Sequence, residues 1–252
     1  LIEQGNYTEI NNLLEKKIFH SSILNKQISI LPKKYRVGEK KFYDILKILL
    51  FYGANVNTPI AYIPQPNQPI DPINEEENKT LLMLGIILND LELINFIISY
   101  HPDINRCDSL GRSAIIYAVI FDNNDSTDIL NILIKHNANI NFTLSMQMSP
   151  ELIEHHSVFT LACCRNLIKI TKCLLDNNVD VTFKTYPKGD TGLHLAVQYA
   201  STELVNLILS YPKIIVDVKN NFGKKPVDLI SEEDNDKKIL FKNYYNMINN
   251  YL

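Results

Sequence analysis

Lys188-Gly189-Asp190-Thr191-Gly192-Leu193-His194-Leu195-Ala196 sets the reading of this 252-residue chain, because its order of turn, small and apolar residues returns along the sequence. The same order appears at Gly111-Arg112-Ser113-Ala114-Ile115-Ile116-Tyr117-Ala118. It recurs as Thr80-Leu81-Leu82-Met83-Leu84-Gly85, as Ser157-Val158-Phe159-Thr160-Leu161-Ala162 and as Lys225-Pro226-Val227-Asp228-Leu229-Ile230. The last residues of these stretches, at positions 85, 118, 162, 196 and 230, stand 33, 44, 34 and 34 apart.

A second signature follows each of the first. Asn89 to Ile98 and Ala200 to Leu209 align residue for residue, Asn166 to Leu175 fits without gaps, and Asp128 to Ile134 fits after three extra residues, Asn123 to Asp125. Apolar residues at i, i+1, i+4 and i+5 make one buried helical stripe. Leu207 is expected in that core, where truncation to Ala would cost about 2–5 kcal/mol. Each helix is followed by a stop and an extended finger: Gly53-Ala54-Asn55-Val56-Asn57, His101-Pro102-Asp103-Ile104-Asn105, Asn137-Ala138-Asn139-Ile140-Asn141 and Asn177-Asn178-Val179-Asp180-Val181. Gly or Asn there can adopt the left-handed conformation that ends a helix.

A period of about 33 residues with this core resembles the ankyrin repeat, a turn plus two antiparallel helices. The resemblance implies an all-α ankyrin-repeat solenoid of about six to seven helix-turn-helix units with long finger insertions. It is read as a single domain over 1–252, with units near 1–20, 21–57, 75–107, 108–142, 152–184, 186–219 and 220–252. Each unit would touch only its neighbours, and the end units would act as caps. Leu1 to Asn57 is the most degenerate part: Gly5 to Leu14 matches a second helix, and Phe42 to Phe51 another, with its first helix within Ser21 to Leu31. Lys237 to Tyr251 reads as a final amphipathic helix with Ile239, Leu240, Tyr244, Met247, Ile248 and Tyr251 apolar.

Three insertions break the period: a basic loop at 32–41, a Pro-rich stretch at 58–74 and a longer finger at 142–156. Proline excludes helix in the second and favours extended geometry. Insertions in repeat arrays map to loops on one face, often the binding face.

The net charge of −3 with no basic stripe gives no reason to expect nucleic acid. Four cysteines without framework spacing point to a reducing compartment, hence an intracellular protein, cytoplasmic or nuclear. No apolar run approaches the roughly 18 residues of a membrane span. Leu1 opens inside a repeat-like pattern without an initiator Met, so the chain is read as a piece whose upstream signals are out of view.

His194 is the tempting catalytic residue, but it fills the pattern's own His position, where an imidazole holds neighbouring turns together. Met83, Ile116, Thr160 and Asp228 occupy that position elsewhere, so no shared chemistry attaches to it. His155-His156 with Cys163-Cys164 and Cys173 offers metal-ligating types, but structural zinc wants four convergent ligands in close pairs. Cys163 falls on a packing position and Cys173 on a buried stripe, where free cysteine behaves as a small hydrophobe. No phosphate-cradling loop, paired carboxylates or nucleophile motif stands at usable spacing. The expectation is no enzyme, no metal, no cofactor and no small-molecule substrate.

The ankyrin resemblance implies a non-catalytic scaffold that binds a protein partner. The ankyrin pattern places an exposed pair after each small-residue anchor: Ile87-Leu88, Ile120-Phe121, Cys164-Arg165 and Gln198-Tyr199. Five of these eight are large and apolar or aromatic, where a solvated face would prefer polar residues. Finger tips add Ser109, Leu110 and Arg112; Pro187, Lys188 and Asp190; and Asn221, Phe222 and Lys224. Aromatics and Arg are the usual interface anchors. The expected partner site is therefore Ile87, Leu88, Leu110, Arg112, Ile120, Phe121, Arg165, Lys188, Tyr199 and Phe222, on a concave face and its fingers. Closure of that face by the insertions, or by a second copy, is the competing reading.

Three narrower versions stay open at this level. Gly111 to Ile134, with Asn123-Asn124-Asp125-Ser126 between its helices, is similar to ankyrin domains of fungal-type cell-cycle transcription cofactors. The abundance of Asn and Ile also fits a pathogen or viral ankyrin effector. The third version is the targeting module of an enzyme whose catalytic domain lies outside this chain.

Overall fold

The computed structural model describes residues 21–34, 36–60, 78–122, 124–149 and 152–249. The first-unit helix at Gly5 to Leu14, most of the Pro-rich insertion, Asn123 and Tyr251 lie outside these. The chain divides into two units, 1–117 and 118–252. None of the described helices is long and apolar enough to cross a membrane.

The first unit begins with a hairpin of α1 (Ser21–Lys34) and α2 (Lys40–Phe51). Ile28 and Leu31 of α1 and Phe42, Ile45, Leu46 and Leu49 of α2 are almost wholly buried. Loss of apolar surface to water is what holds so short a pair together. The loop expected at 32–41 is shorter than its sequence implies. Helix α1 runs through Pro32 to Lys34, since a proline in the last turn removes a single backbone donor and its ring is buried here. The next hairpin is α3 (Leu81–Ile87) and α4 (Leu91–Ile98). Thr80 caps α3 by accepting the Met83 N–H at 3.4 Å, and Asp90 caps α4 by accepting the Leu93 N–H at 2.9 Å.

In the second unit, α5 (Ala114–Ile120, which begins in the first) and α6 (Asp128–Lys135) precede a β-hairpin, β1 (Thr143–Ser149) with β2 (Leu152–Ser157). The strands are antiparallel, with Leu144 opposite His156 and Met146 opposite Glu154. Two complete helical hairpins follow: α7 (Val158–Cys164) with α8 (Ile168–Asp176), and α9 (Gly192–Tyr199) with α10 (Thr202–Leu209). First helix α7 packs on first helix α9, and second helix α8 on second helix α10. The last hairpin is reduced: Pro226–Leu229 is one 3-10 turn against α9, and α11 (Asn235–Asn249) closes on α10.

Two expectations about helix phase need correction. Leu207 is only half-buried, while Leu204, Val205, Ile208 and Leu209 form the buried i, i+1, i+4, i+5 stripe. In α11 the buried residues are Lys237 and Phe241, with Ile239 and Met247 facing water. The Lys237 stem lies inside because its ammonium donates to the Val197 carbonyl at 3.0 Å and pairs with Asp234 at 2.9 Å. Those contacts, with burial of Phe241, fix the rotation of the helix.

Turn chemistry repeats as faithfully as the helices. Gly53, His101, Asn137 and Asn178 end second helices with positive φ, and Asn89 and Asn166 do so after first helices. The side chains in these turns join neighbours within each unit. Asn57 accepts the N–H of Asp103 at 2.9 Å, and Asn141 that of Asp180 at 2.8 Å. Asp125 accepts the N–H groups of Lys169 and Ile170 at 2.7 and 3.0 Å, and Asn166 that of Ser201 at 2.9 Å.

Candidate functional site

A pocket of about 310 Å³ opens in the second unit between the β-hairpin, α7, α9 and the finger before α9. Its lining includes Met146 and Glu154 from the hairpin, Leu161 and Cys164 from α7, Lys188 from the finger and Leu195 and Tyr199 from α9. Short side chains on α9 let these walls approach. Gly192 sits so close to Phe159 that a Cβ there would lie 2.3 Å from the ring.

The hairpin forms one wall of the pocket. Along one face Leu144 and His156 are buried, and Met146 and Glu154 turn into the pocket. His156 is held by Glu154 at 3.3 Å and lies 3.5 Å from the Thr160 hydroxyl. Along its free side, His155 exchanges backbone bonds with Tyr186 of the finger at 3.1 and 3.3 Å, and their rings meet edge to face at 5.5 Å. The described part of the insertion at 142–156 thus borders the pocket. A strand signal was present: Thr143-Leu144-Ser145-Met146-Gln147-Met148-Ser149 alternates polar and apolar residues. Reading the segment as a stretched finger hid it, and with it Met146, Glu154 and His156 as lining residues.

The finger and α9 are locked by His194. The Thr191 backbone N–H, which can only donate, points at Nδ1 at 3.1 Å, so Nε2 carries the proton and donates to the Lys224 carbonyl at 3.0 Å. Burial holds the imidazole pKa below its usual value. Asp190, expected at a finger tip, is instead buried and accepts the Asn220 amide at 2.7 Å. Cys164 lines the pocket, but burial and the Glu154 carboxylate raise its thiol above the ordinary range, against the opposing pull of Lys188 and Arg165. Burial keeps Cys163 protonated more strongly still. Neither is poised as a nucleophile. Among the described residues, no three His, Cys, Asp or Glu side chains gather as a metal site would need.

The structure brings three of the expected residues, Arg165, Lys188 and Tyr199, to this one pocket. They differ in freedom. The Arg165 guanidinium donates to the carbonyls of Val119 at 2.8 Å, Ile120 and Asp122 at 3.2 Å, closing the C-terminus of α5. Tyr199 is 54% exposed and the tip residue Phe222 is 72% exposed. Ile120 and Phe121 are half-buried at the end of α5. In the first unit, Ile87 is buried in α3, so only Leu88 of that pair reaches the surface. Leu110 is a half-exposed tip. Arg112 is engaged: its Nε pairs with buried Asp108 at 2.7 Å and its guanidinium lies over the Tyr117 ring at 5.0 Å.

Short helical hairpins joined by hydrogen-bonded fingers, repeated within each unit, define a helical repeat protein. Residues 39–144 match the family model for ankyrin repeats, in three copies. Residues 39–144 thus carry ankyrin repeats, the family that the sequence pattern resembles, and repeats of this family generally mediate protein–protein contacts. It is 22% identical over 263 aligned residues to an ankyrin repeat protein of Acanthamoeba polyphaga mimivirus, covering 95% of this chain and 32% of that protein. It is 27% identical over 183 residues to an ankyrin repeat protein of Rickettsia felis, covering 70% of this chain and 45% of that one. Over 50 residues it is 36% identical to ankyrin repeat and LEM domain-containing protein 2 of Rattus norvegicus, 20% of this chain and 5% of that protein. The chain thus spans less than half the length of each of these relatives.

Proposed function

We propose that this chain is a non-catalytic scaffold that captures a protein partner on the face of its second unit formed by α7, α9, the β-hairpin and the fingers. The observation that carries this reading is the exposed ring of Tyr199 at a pocket whose other walls are tied in place by hydrogen bonds. A rigid aromatic beside a preformed depression loses little entropy on binding, which is how interface hot spots arise. Phe222, a second exposed aromatic on the next finger, extends the anchor set.

Pull-downs with the wild-type chain, Tyr199→Asp and a control, Phe51→Asp, test it, with circular dichroism checking that each variant is folded. Phe51 lies on α2, in the other unit, and is 77% exposed. Tyr199→Asp is expected to lose proteins that Phe51→Asp retains. Retrieval of the same proteins at the same salt resistance by all three would overturn this location.

A further inference from the structure

Two neighbouring fingers of the second unit, residues 182–190 and 217–225, are bonded into one body. The Asn221 N–H donates to the Lys188 carbonyl at 2.9 Å, the Asn221 amide to the Pro187 carbonyl at 2.6 Å, and the Lys184 ammonium to the Lys219 carbonyl at 2.9 Å. Gly189, at φ +72°, makes this approach possible, since a Cβ there would meet the Asn221 side chain at 2.5 Å.

This body is basic on a chain that is acidic overall. Lys184, Lys188, Lys219 and Lys224 are all exposed on it. Its carboxylates do not balance them. Asp190 is buried under the Asn220 amide. Asp217 is already bonded to Lys225 at 2.8 Å and to the Tyr245 hydroxyl at 3.0 Å, contacts that hold its carboxyl below the ordinary range. Of these lysines Lys188 lines the pocket itself, where Met146, Leu161, Cys164 and Leu195 offer apolar surface beside Glu154, whose carboxylate is paired with His156 at 3.3 Å, and buried Asp190.

We propose that the partner segment recognised here is an acidic, extended polypeptide with a bulky apolar side chain, which enters the pocket beside Tyr199 while its carboxylates lie against Lys188, Lys219 and Lys224. This rests on the second-unit site proposed above and adds the chemistry of its ligand. Complementary charge steers and orients such a segment, and the apolar anchor supplies the desolvated contact. A nucleic acid would use the lysines but has no side chain to fill a pocket lined this way.

The test is selection of random peptides of about twelve residues on the full chain, with binding of the winners measured against low and high salt. The expected winners are acidic with one large apolar residue. Their affinity falls at high salt and drops about tenfold or more with the triple variant Lys188→Glu, Lys219→Glu, Lys224→Glu, while Lys→Gln at the same positions gives a smaller loss. Winners that depend on Tyr199 but are neutral or basic would overturn the charge assignment and leave the binding site standing. Winners indifferent to Tyr199→Asp, or none, would remove both. Tighter, lysine-dependent binding of an oligothymidine would assign the basic fingers to nucleic acid instead. Melting curves of each variant establish that the fold is retained.

Discussion

The side-chain oxygen of Asn141 accepts the backbone N–H of Asp180 at 2.8 Å, the same bond that Asn57 offers Asp103 at 2.9 Å in the other unit. In both places the second Asn of an Asn-x-Asn finger reaches the next finger, and the first Asn binds it from below: Asn55 accepts the Asn57 N–H at 2.9 Å, and Asn139 the Asn141 N–H at 3.0 Å. The fingers are thus stitched by a repeated rung rather than by a sheet. Asn141→Ala should lower stability by about 1 kcal/mol, read as a shifted urea midpoint with an unchanged slope. It should also raise hydrogen exchange at Asp180, and no change there would mean the rung carries nothing.

Arg165 and Tyr199 both reach the pocket, and their variants should separate binding from stability. Removing the Arg165 guanidinium strips a charged donor from the carbonyls of Val119 and Ile120 at the end of α5. Arg165→Ala is expected to cost about 1–3 kcal/mol in unfolding free energy. Tyr199→Ala should leave the melting temperature nearly unchanged and weaken capture. Equal stability losses for the two would show that Tyr199 is a packing residue.

His194 makes stability depend on pH, with a definite sign. Its folded pKa lies below the ordinary 6.5, so between the two values the unfolded chain binds the proton that the folded chain refuses. Its contribution is therefore complete above about 6.5 and is lost as pH falls from there towards the lowered folded value. His194→Ala should destabilise by about 1–3 kcal/mol near neutrality, because the Thr191 N–H and Lys224 carbonyl lose their partner, and should flatten this part of the profile. A variant as pH-sensitive as the wild type in that window would assign the slope to other groups.

Ile208 and Leu207 stand next to each other on α10 with opposite environments. Ile208 is fully buried, so Ile208→Ala should cost about 2–5 kcal/mol through the cavity it leaves. Leu207→Ala, at a half-buried position, should cost well under half of that. Thermal melts of the two variants measure the difference, and a reversed order would place the helix one residue out of phase.

Periodicity alone determined the class of this protein. Small residues recur at Gly85, Ala118, Ala162 and Ala196, and at Gly85 the reason is visible, since a Cβ there would already lie 3.0 Å from Ile94 of the paired helix, while Gly53, Asn137 and Asn178 recur because a helix must end in a left-handed turn. Such constraints are local or involve the adjacent copy, so they are written at fixed spacing. The proposed partner face was legible only in outline. Lys188 and Tyr199 were in view, yet the same pattern offered Ile87, Arg112 and Asp190, which the folded chain buries or occupies with Asp108 and Asn220. Tertiary structure alone decided three things: that β1 and β2 wall the pocket, that Arg165 serves the end of α5, and that lysines 35 residues apart, Lys184 and Lys219, lie on one bonded body. Each depends on contacts between segments distant in sequence, where burial and electrostatic pairing act through space and leave no period to read.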